Sequence, residues 1–143
     1  MLIGIDVVLN ADILYILRAM GHGDDIAIVD ATFPVESHAR RFVRSEGCDL
    51  NRMLGAVLKL LPIDRDEPEA AVGMQVIGEP ERQMPAHSDI AKLVSEATGG
   101  AIPLVLLERF SFYERAQTAF AIVATGELRD YGNVILRKGD RLE

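Results

Sequence analysis

The run Ile26-Ala27-Ile28-Val29 has no polar face. A strand wetted on one side alternates apolar and polar residues; this one is apolar throughout and mostly β-branched, so both of its faces must be covered. Such a strand belongs inside a sheet with helices on either side. Asn10 is placed to cap a helix over residues 11–20, with Asp12 in its first turn against the positive end of the helix dipole. Ile13, Leu14, Ile16, Leu17 and Met20 share one face of it, and Gly21 is expected as the left-handed residue that ends it.

The same alternation continues along the chain. Residues 36–41 read as a polar loop and residues 42–44 as a strand. Asp49 or Asn51 caps a second helix whose buried stripe is Met53, Leu54, Val57, Leu58 and Leu61, and residues 63–69 form a solvated turn. Strands follow at 70–77, 102–107, 119–125 and 133–137. Ser88 is expected to cap a helix ending at Gly99-Gly100, and Ser111-Phe112-Tyr113-Glu114 reads as the capping box of a short helix through Thr118. Strands alternating with helices predict one α/β domain over residues 1–143, its central sheet largely parallel and flanked by helices.

A formal charge of −7, from 22 acidic and 15 basic residues, with no basic stripe, argues against nucleic acid and against a polybasic membrane mode. The apolar start lacks a positive leader and is interrupted by Asp6 and Asp12, and no uncharged run approaches the ~20 residues that span a bilayer. One cysteine, Cys48, flanked by acid rather than base, fits a structural thiol in a reducing cytoplasm. Cytoplasmic location is the expectation.

The chain has no glycine-rich phosphate loop with a Lys, no G-x-G-x-x-G, no C-x-x-C, no H-x-x-x-H and no G-x-S-x-G elbow. The expectation is therefore acid–base chemistry or plain binding, with no cofactor and no metal. His22 follows a helix end, near Asp24 and Asp25; that negative neighbourhood suits a general acid, and a histidine that merely caps the helix is the competing reading. Asp30 ends the apolar strand, where open α/β sheets bind ligands, though an Asx turn explains it too. His22 and Asp30 are expected to face one another across neighbouring loop ends.

Tyr131-Gly132-Asn133 offers a phenol, a close backbone approach and an amide to sugar-like hydroxyls, or is an ordinary turn. Arg109 is either a forked donor to a ligand or an ion-pair partner of Glu108 or Glu114. Phe110, Phe112 and Tyr113 could wall a sugar face or fill a core, and His38 and His87 are expected to be solvated in polar loops.

Taken together, Met20-Gly-His-Gly-Asp-Asp25, Asp30-Ala-Thr-Phe-Pro34, residues 108–127 and Tyr131-Gly-Asn-Val-Ile-Leu-Arg-Lys-Gly139 closely resemble the fucose mutarotase branch of the fucose mutarotase and ribose pyranase (RbsD/FucU) family. The resemblance runs nearly end to end and is loosest over residues 64–101. It implies an RbsD-like fold and interconversion of the anomers of a free monosaccharide. His22 would be the proton donor and Asp30, Arg109, Tyr131, Gly132 and Asn133 the sugar-binding residues, Tyr131 also assisting proton transfer. It further implies a decameric ring with sites at subunit interfaces. L-fucose or a close 6-deoxy or galacto relative is the implied substrate; a ribose pyranase-like activity and a non-catalytic sugar-binding accessory of transport are the alternatives. Thr32 stands where relatives of this branch often carry His, a difference that bears on sugar preference.

Overall fold

The apolar run lies inside the sheet. In chain order the elements are α1 (Ala11–Ala19), β1 (Asp25–Val29), α2 (Val35–His38), β2 (Phe42–Ser45), α3 (Leu50–Leu58), β3 (Ala71–Met74), α4 (Pro85–Thr98), β4 (Val105–Leu107), α5 (Arg109–Thr118), β5 (Ala121–Thr125) and β6 (Val134–Arg137). This is a computed structural model, and it describes residues 1–140. The six strands form one sheet in the order β2-β5-β1-β6-β3-β4, and all five residues of β1 are buried. The pairings β2–β5, β5–β1 and β3–β4 are parallel; β6 runs antiparallel between β1 and β3. Five strands therefore point one way and β6 the other.

Alternation within β1 divides the core in two. Ile26 and Ile28 join Ile13, Leu17, Met53, Leu54, Ile90 and Val94, so α1, α3 and α4 cover one face. Ala27 and Val29 join Val35, Phe112 and Ala116, so α2 and α5 cover the other. Each fully buried Ile or Leu stabilises the fold by about 1.5–3 kcal/mol relative to exposure. Among the described residues no helix is long and apolar enough to cross a membrane.

Several local expectations are corrected. α1 ends at Met20 in an extended conformation, and the positive φ belongs to Gly23 (+90°), not Gly21. The C-terminal carbonyls of α1 are satisfied by Lys138, whose Nζ donates to Leu17 O (2.7 Å) and Met20 O (2.6 Å). Within the expected 36–41 loop, residues 35–38 make the single-turn α2. α4 starts three residues before Ser88, because Pro85 suits a first helical turn and the His87 side chain accepts from Met84 N. α5 is capped by Glu108, whose carboxylate accepts from Phe110 N and Ser111 N, so Ser111 lies inside the helix. Asp49, rather than Asn51, caps α3. The 63–69 turn is not wholly solvated: Ile63 and Asp64 are buried where Ile63 bridges Lys138.

Candidate active site

Where the chain leaves β1, Asp30 meets the residue just before β6. Asn133 Oδ1 accepts from Asp30 N (2.9 Å), and Asn133 Nδ2 donates to Asp30 Oδ2 (3.1 Å). Both residues are buried. The other carboxylate oxygen, Oδ1, accepts from Thr32 N and from Thr32 Oγ1, each at 3.0 Å. Because β6 is antiparallel, its first residues lie beside the carboxyl end of β1. The neighbouring end of β3 contributes Met74. Together these elements surround a pocket of about 310 Å³ with polar lining from Asp30, Thr32, Tyr113, Asp130, Tyr131 and Asn133. Phe33, Pro34, Met74 and Ile77 supply its apolar wall.

Tyr131 and Gly132 are held tightly. Tyr131 has φ +61°, the one positive value at a non-glycine among the described residues. That conformation costs an ordinary side chain about 1–2 kcal/mol and persists where the surroundings impose it, which is common at functional sites. The Tyr131 hydroxyl accepts from Ile77 N (3.1 Å), leaving its own proton to donate. A Cβ on Gly132 would fall 2.8 Å from Glu127 Cγ, so glycine lets this backbone pack against the Glu127 side chain, while Asp30 Cβ at 3.6 Å would be in ordinary contact.

The valences left over define what the pocket can bind. Tyr131 O–H and the second Asn133 N–H remain as donors; Asp30 Oδ2 and Thr32 Oγ1 remain as acceptors. Mixed donors and acceptors beside an apolar wall suit a small polyhydroxylated ligand with one hydrophobic edge.

Arg109 sits close by but in different surroundings. It is the first residue of α5, its guanidinium 4.5 Å from the Phe110 ring centroid. Neither expected reading, a ligand fork or a pair with Glu108 or Glu114, describes that contact. It lines a second cavity of about 290 Å³, which shares Ile77 with the first.

His22 is elsewhere. It precedes β1, so it lies at the amino end of that strand, whereas Asp30 follows the carboxyl end. The five residues of β1, roughly 16 Å of strand, separate the two. The expected face-to-face pair does not form within one chain. His22 Nε2 instead lies 3.3 Å from Asp64 Oδ2, and Nδ1 lies 4.0 Å from Asp140 Oδ2. The expected acidic neighbours have other partners: Asp24 accepts from Gly21 N, and Asp25 pairs with Arg115 and Arg137. Asp64 is held at this spot by its N–H, which donates to Arg137 O (3.0 Å), and Gly139 permits the close approach, since a Cβ there would come within 3.0 Å of Asp64 backbone. The His22 side chain is 52% exposed and that of Asp64 11%, so the ring is presented outward on a fixed carboxylate.

Three residues escaped the sequence reading or were misplaced by it. His87 is fully buried on α4, not solvated; Nε2 donates to Met74 O (2.8 Å), and its ring lies 5.8 Å from that of Tyr131. Burial pushes the His87 imidazole below its usual range, against the pull of the Met74 carbonyl. His38 is half-buried, its ring 5.1 Å from that of Tyr113. Arg129 anchors a network with Glu127, Asp89 and Asn51. The Pro85 helix start was a signal for His87; nothing in the local sequence marks Arg129. Cys48 is buried, and burial raises its thiol pKa.

A model of the RbsD / FucU transport protein family matches residues 3–140. A protein named fucose mutarotase from Homo sapiens is 44% identical over 142 residues, covering 95% of this chain and 92% of the relative. The crystal structure of FucU from Bifidobacterium longum superposes with a TM-score of 0.89 at 34% identity, covering 97% and 99% of the two chains. The crystal structure of the fucose mutarotase in complex with L-fucose from Streptococcus pneumoniae gives a TM-score of 0.85 at 33% identity, covering 99% and 100%.

Proposed function

The chain belongs to the RbsD / FucU family, and from that premise we propose that it is a mutarotase interconverting the α and β anomers of a free monosaccharide, L-fucose or a close relative. The observation that carries the reading is the Asp30–Asn133–Tyr131 pocket, whose free donors and acceptors match sugar hydroxyls. Its wall of Phe33, Pro34, Met74 and Ile77 suits the C–H edge and deoxy methyl of a 6-deoxy sugar.

Mutarotation requires a proton delivered to the ring oxygen and one removed from the C1 hydroxyl. The ring C1–O5 bond breaks to give the aldehyde, the C1–C2 bond rotates, and closure on the other face reverses the proton movements. His22 is the proton donor, with Asp64 orienting its imidazole through Nε2. Asp30 and Asn133 hold the hydroxyls, and Tyr131 relays the C1 proton to solvent water, from which ring closure takes one back. Arg109 contributes from the adjoining cavity.

Because His22 and Asp30 occupy opposite ends of β1, the pocket of one subunit takes His22 from another. A head-to-tail contact of that kind closes into a ring if its rotation is right, and the decameric ring of the family is the arrangement we propose. The pocket works in the cytoplasm on sugar delivered there.

Magnetisation transfer between anomeric proton signals of L-fucose, galactose, ribose and rhamnose tests this. Exchange with fucose that is lost in His22→Gln, with fucose still bound, is the expected result. Sugar binding without accelerated exchange in the wild type would leave only a binding module, and exchange confined to ribose would favour pyranose–furanose chemistry.

A further inference from the structure

The strained Tyr131 is not held by its own neighbours alone. Two residues earlier, Arg129 makes four charge-assisted bonds: Nη1 donates to Asp89 Oδ2 (2.7 Å), Nη2 to Asn51 Oδ1 and Glu127 Oε1 (2.9 Å each), and Nε to Glu127 Oε1 (3.2 Å). Its backbone N–H donates to the other oxygen of the same carboxylate, Glu127 Oε2 (3.2 Å). Asn51 closes the circuit by donating to Asp89 Oδ2 (3.0 Å). The loop between β5 and β6 is thereby wrapped around one nearly buried carboxylate and bolted to α3 through Asn51 and to α4 through Asp89.

Glu127 is where that brace reaches the pocket. Its methylene fills the space beside Gly132, and its carbonyl accepts from Ala31 N (2.9 Å), next to Asp30. α4 also carries His87, whose ring lies against Tyr131, so one helix grips the loop at two points.

We propose that Arg129 is a positioning residue of the sugar pocket, holding Tyr131 in its left-handed conformation by tying Glu127 to Asp89 and Asn51. The inference rests on the pocket being the sugar site. An Arg suits the task because its planar fork engages three partners at once, and a Lys, as a point charge, cannot. The charges are firmly fixed: the Asn51 and Arg129 bonds hold the Asp89 carboxyl below its usual range. Burial pushes the Glu127 carboxyl up, and the Arg129 bonds outweigh it.

The test compares Arg129→Ala, Arg129→Lys and Asp89→Asn with the wild type by two independent readouts. The first is φ at Tyr131, from its backbone ¹³C shifts and HN–Hα coupling. The second is half-saturation by L-fucose and turnover, from anomeric exchange. In Arg129→Ala, Tyr131 is expected to populate negative φ and half-saturation to rise about tenfold, the equivalent of one lost hydrogen bond. Turnover at saturation is expected to fall less, and Arg129→Lys to recover part of both readouts. Asp89→Asn removes one exposed charge, leaves the Arg129 bonds to Asn51 and Glu127 in place, and shifts φ less. An unchanged Tyr131 φ in folded Arg129→Ala overturns the proposal; if that variant does not fold, an unchanged φ in Asp89→Asn does. If the wild type exchanges no sugar, the mutarotase reading fails, and the φ readout still decides whether Arg129 positions Tyr131.

Discussion

The two ends of β1 are built in opposite ways. At the carboxyl end, Asp30 and Asn133 bond to each other in a buried pair, Thr32 occupies the second oxygen, and Tyr131 is forced to positive φ. At the amino end, His22 stands half in water on the nearly buried Asp64. Recognition of hydroxyls needs fixed directions, which a braced buried pair provides. The proposed proton delivery into a pocket made elsewhere needs a group that can be inserted, and a projecting ring on an anchored carboxylate suits it. On the proposed reading the two ends, separated within one protomer, meet through a second copy.

The largest effects should come from separating the halves. His22→Gln is expected to slow anomeric exchange by about 10²–10⁴-fold, the usual contribution of a general acid. Its unfolding free energy should stay within about 0.5 kcal/mol of wild type, since the side chain is exposed. Asp30→Asn is expected to abolish exchange by impairing sugar binding. Mixed in equal amounts and allowed to reassemble, the two inactive variants should recover about a quarter of wild-type exchange, because random head-to-tail neighbours restore one intact interface in four. Mixtures as inactive as their parents would mean that the two ends do not share a site.

Next in size is the buried pair itself. Asn133→Ala leaves Asp30 N and Oδ2 buried without partners, and each such group costs about 1–3 kcal/mol. A loss of about 2–4 kcal/mol in urea unfolding is expected, together with loss of sugar binding. Wild-type stability in this variant would show that the carboxyl end is less tightly built than its hydrogen bonds indicate. Gly132→Ala should follow, weakening sugar binding about tenfold as its methyl displaces the Glu127 side chain that borders the pocket loop. Binding as tight as wild type would show that the backbone need not approach so closely.

The contrast between the ends explains how far the sequence could be read. The unbroken apolar run predicted the layered sheet, and Asp30 was placed at the end of its strand from chain order alone. Chain order also held the answer on His22: a residue before a strand and one after it cannot lie at the same end. The adjacency of Asn133 to Asp30 was harder. It depends on β6 running antiparallel beside β1, and hydrophobic periodicity is blind to strand direction. Helix starts at Pro85 and Arg109 were displaced because side chains beyond the local Ser motifs, His87 and Glu108, took the free N–H groups. Arg129 was invisible because its partners come from α3 and α4, 78 and 40 positions away in sequence.

The smallest expected effect separates the two ends by pH. His87 is fully buried with both ring nitrogens engaged as the neutral form requires: Nδ1 accepts from Met84 N and Nε2 donates to Met74 O. Its pKa is lowered, first by burial, relative to about 6.5 in an unfolded chain. Below about pH 6.5, and down to the folded value, the unfolded chain therefore binds more proton than the native one. Stability is complete above that range and is lost as pH falls through it, at no more than about 1.4 kcal/mol per pH unit for this one proton. His87→Gln, which carries no titrating group, should lack this component, so the difference in urea midpoints between variant and wild type should shrink on acidification. A difference independent of pH would remove His87 as its source. Since His87 packs against Tyr131 and bonds Met74, the protection of the Ile77 amide, whose N–H donates to Tyr131, taken relative to its intrinsic exchange rate at each pH, should fall with acid before protection in the His22 loop does. Acid would then loosen the rigid end first, and the order of loosening follows from where the one fully buried imidazole among the described residues is placed.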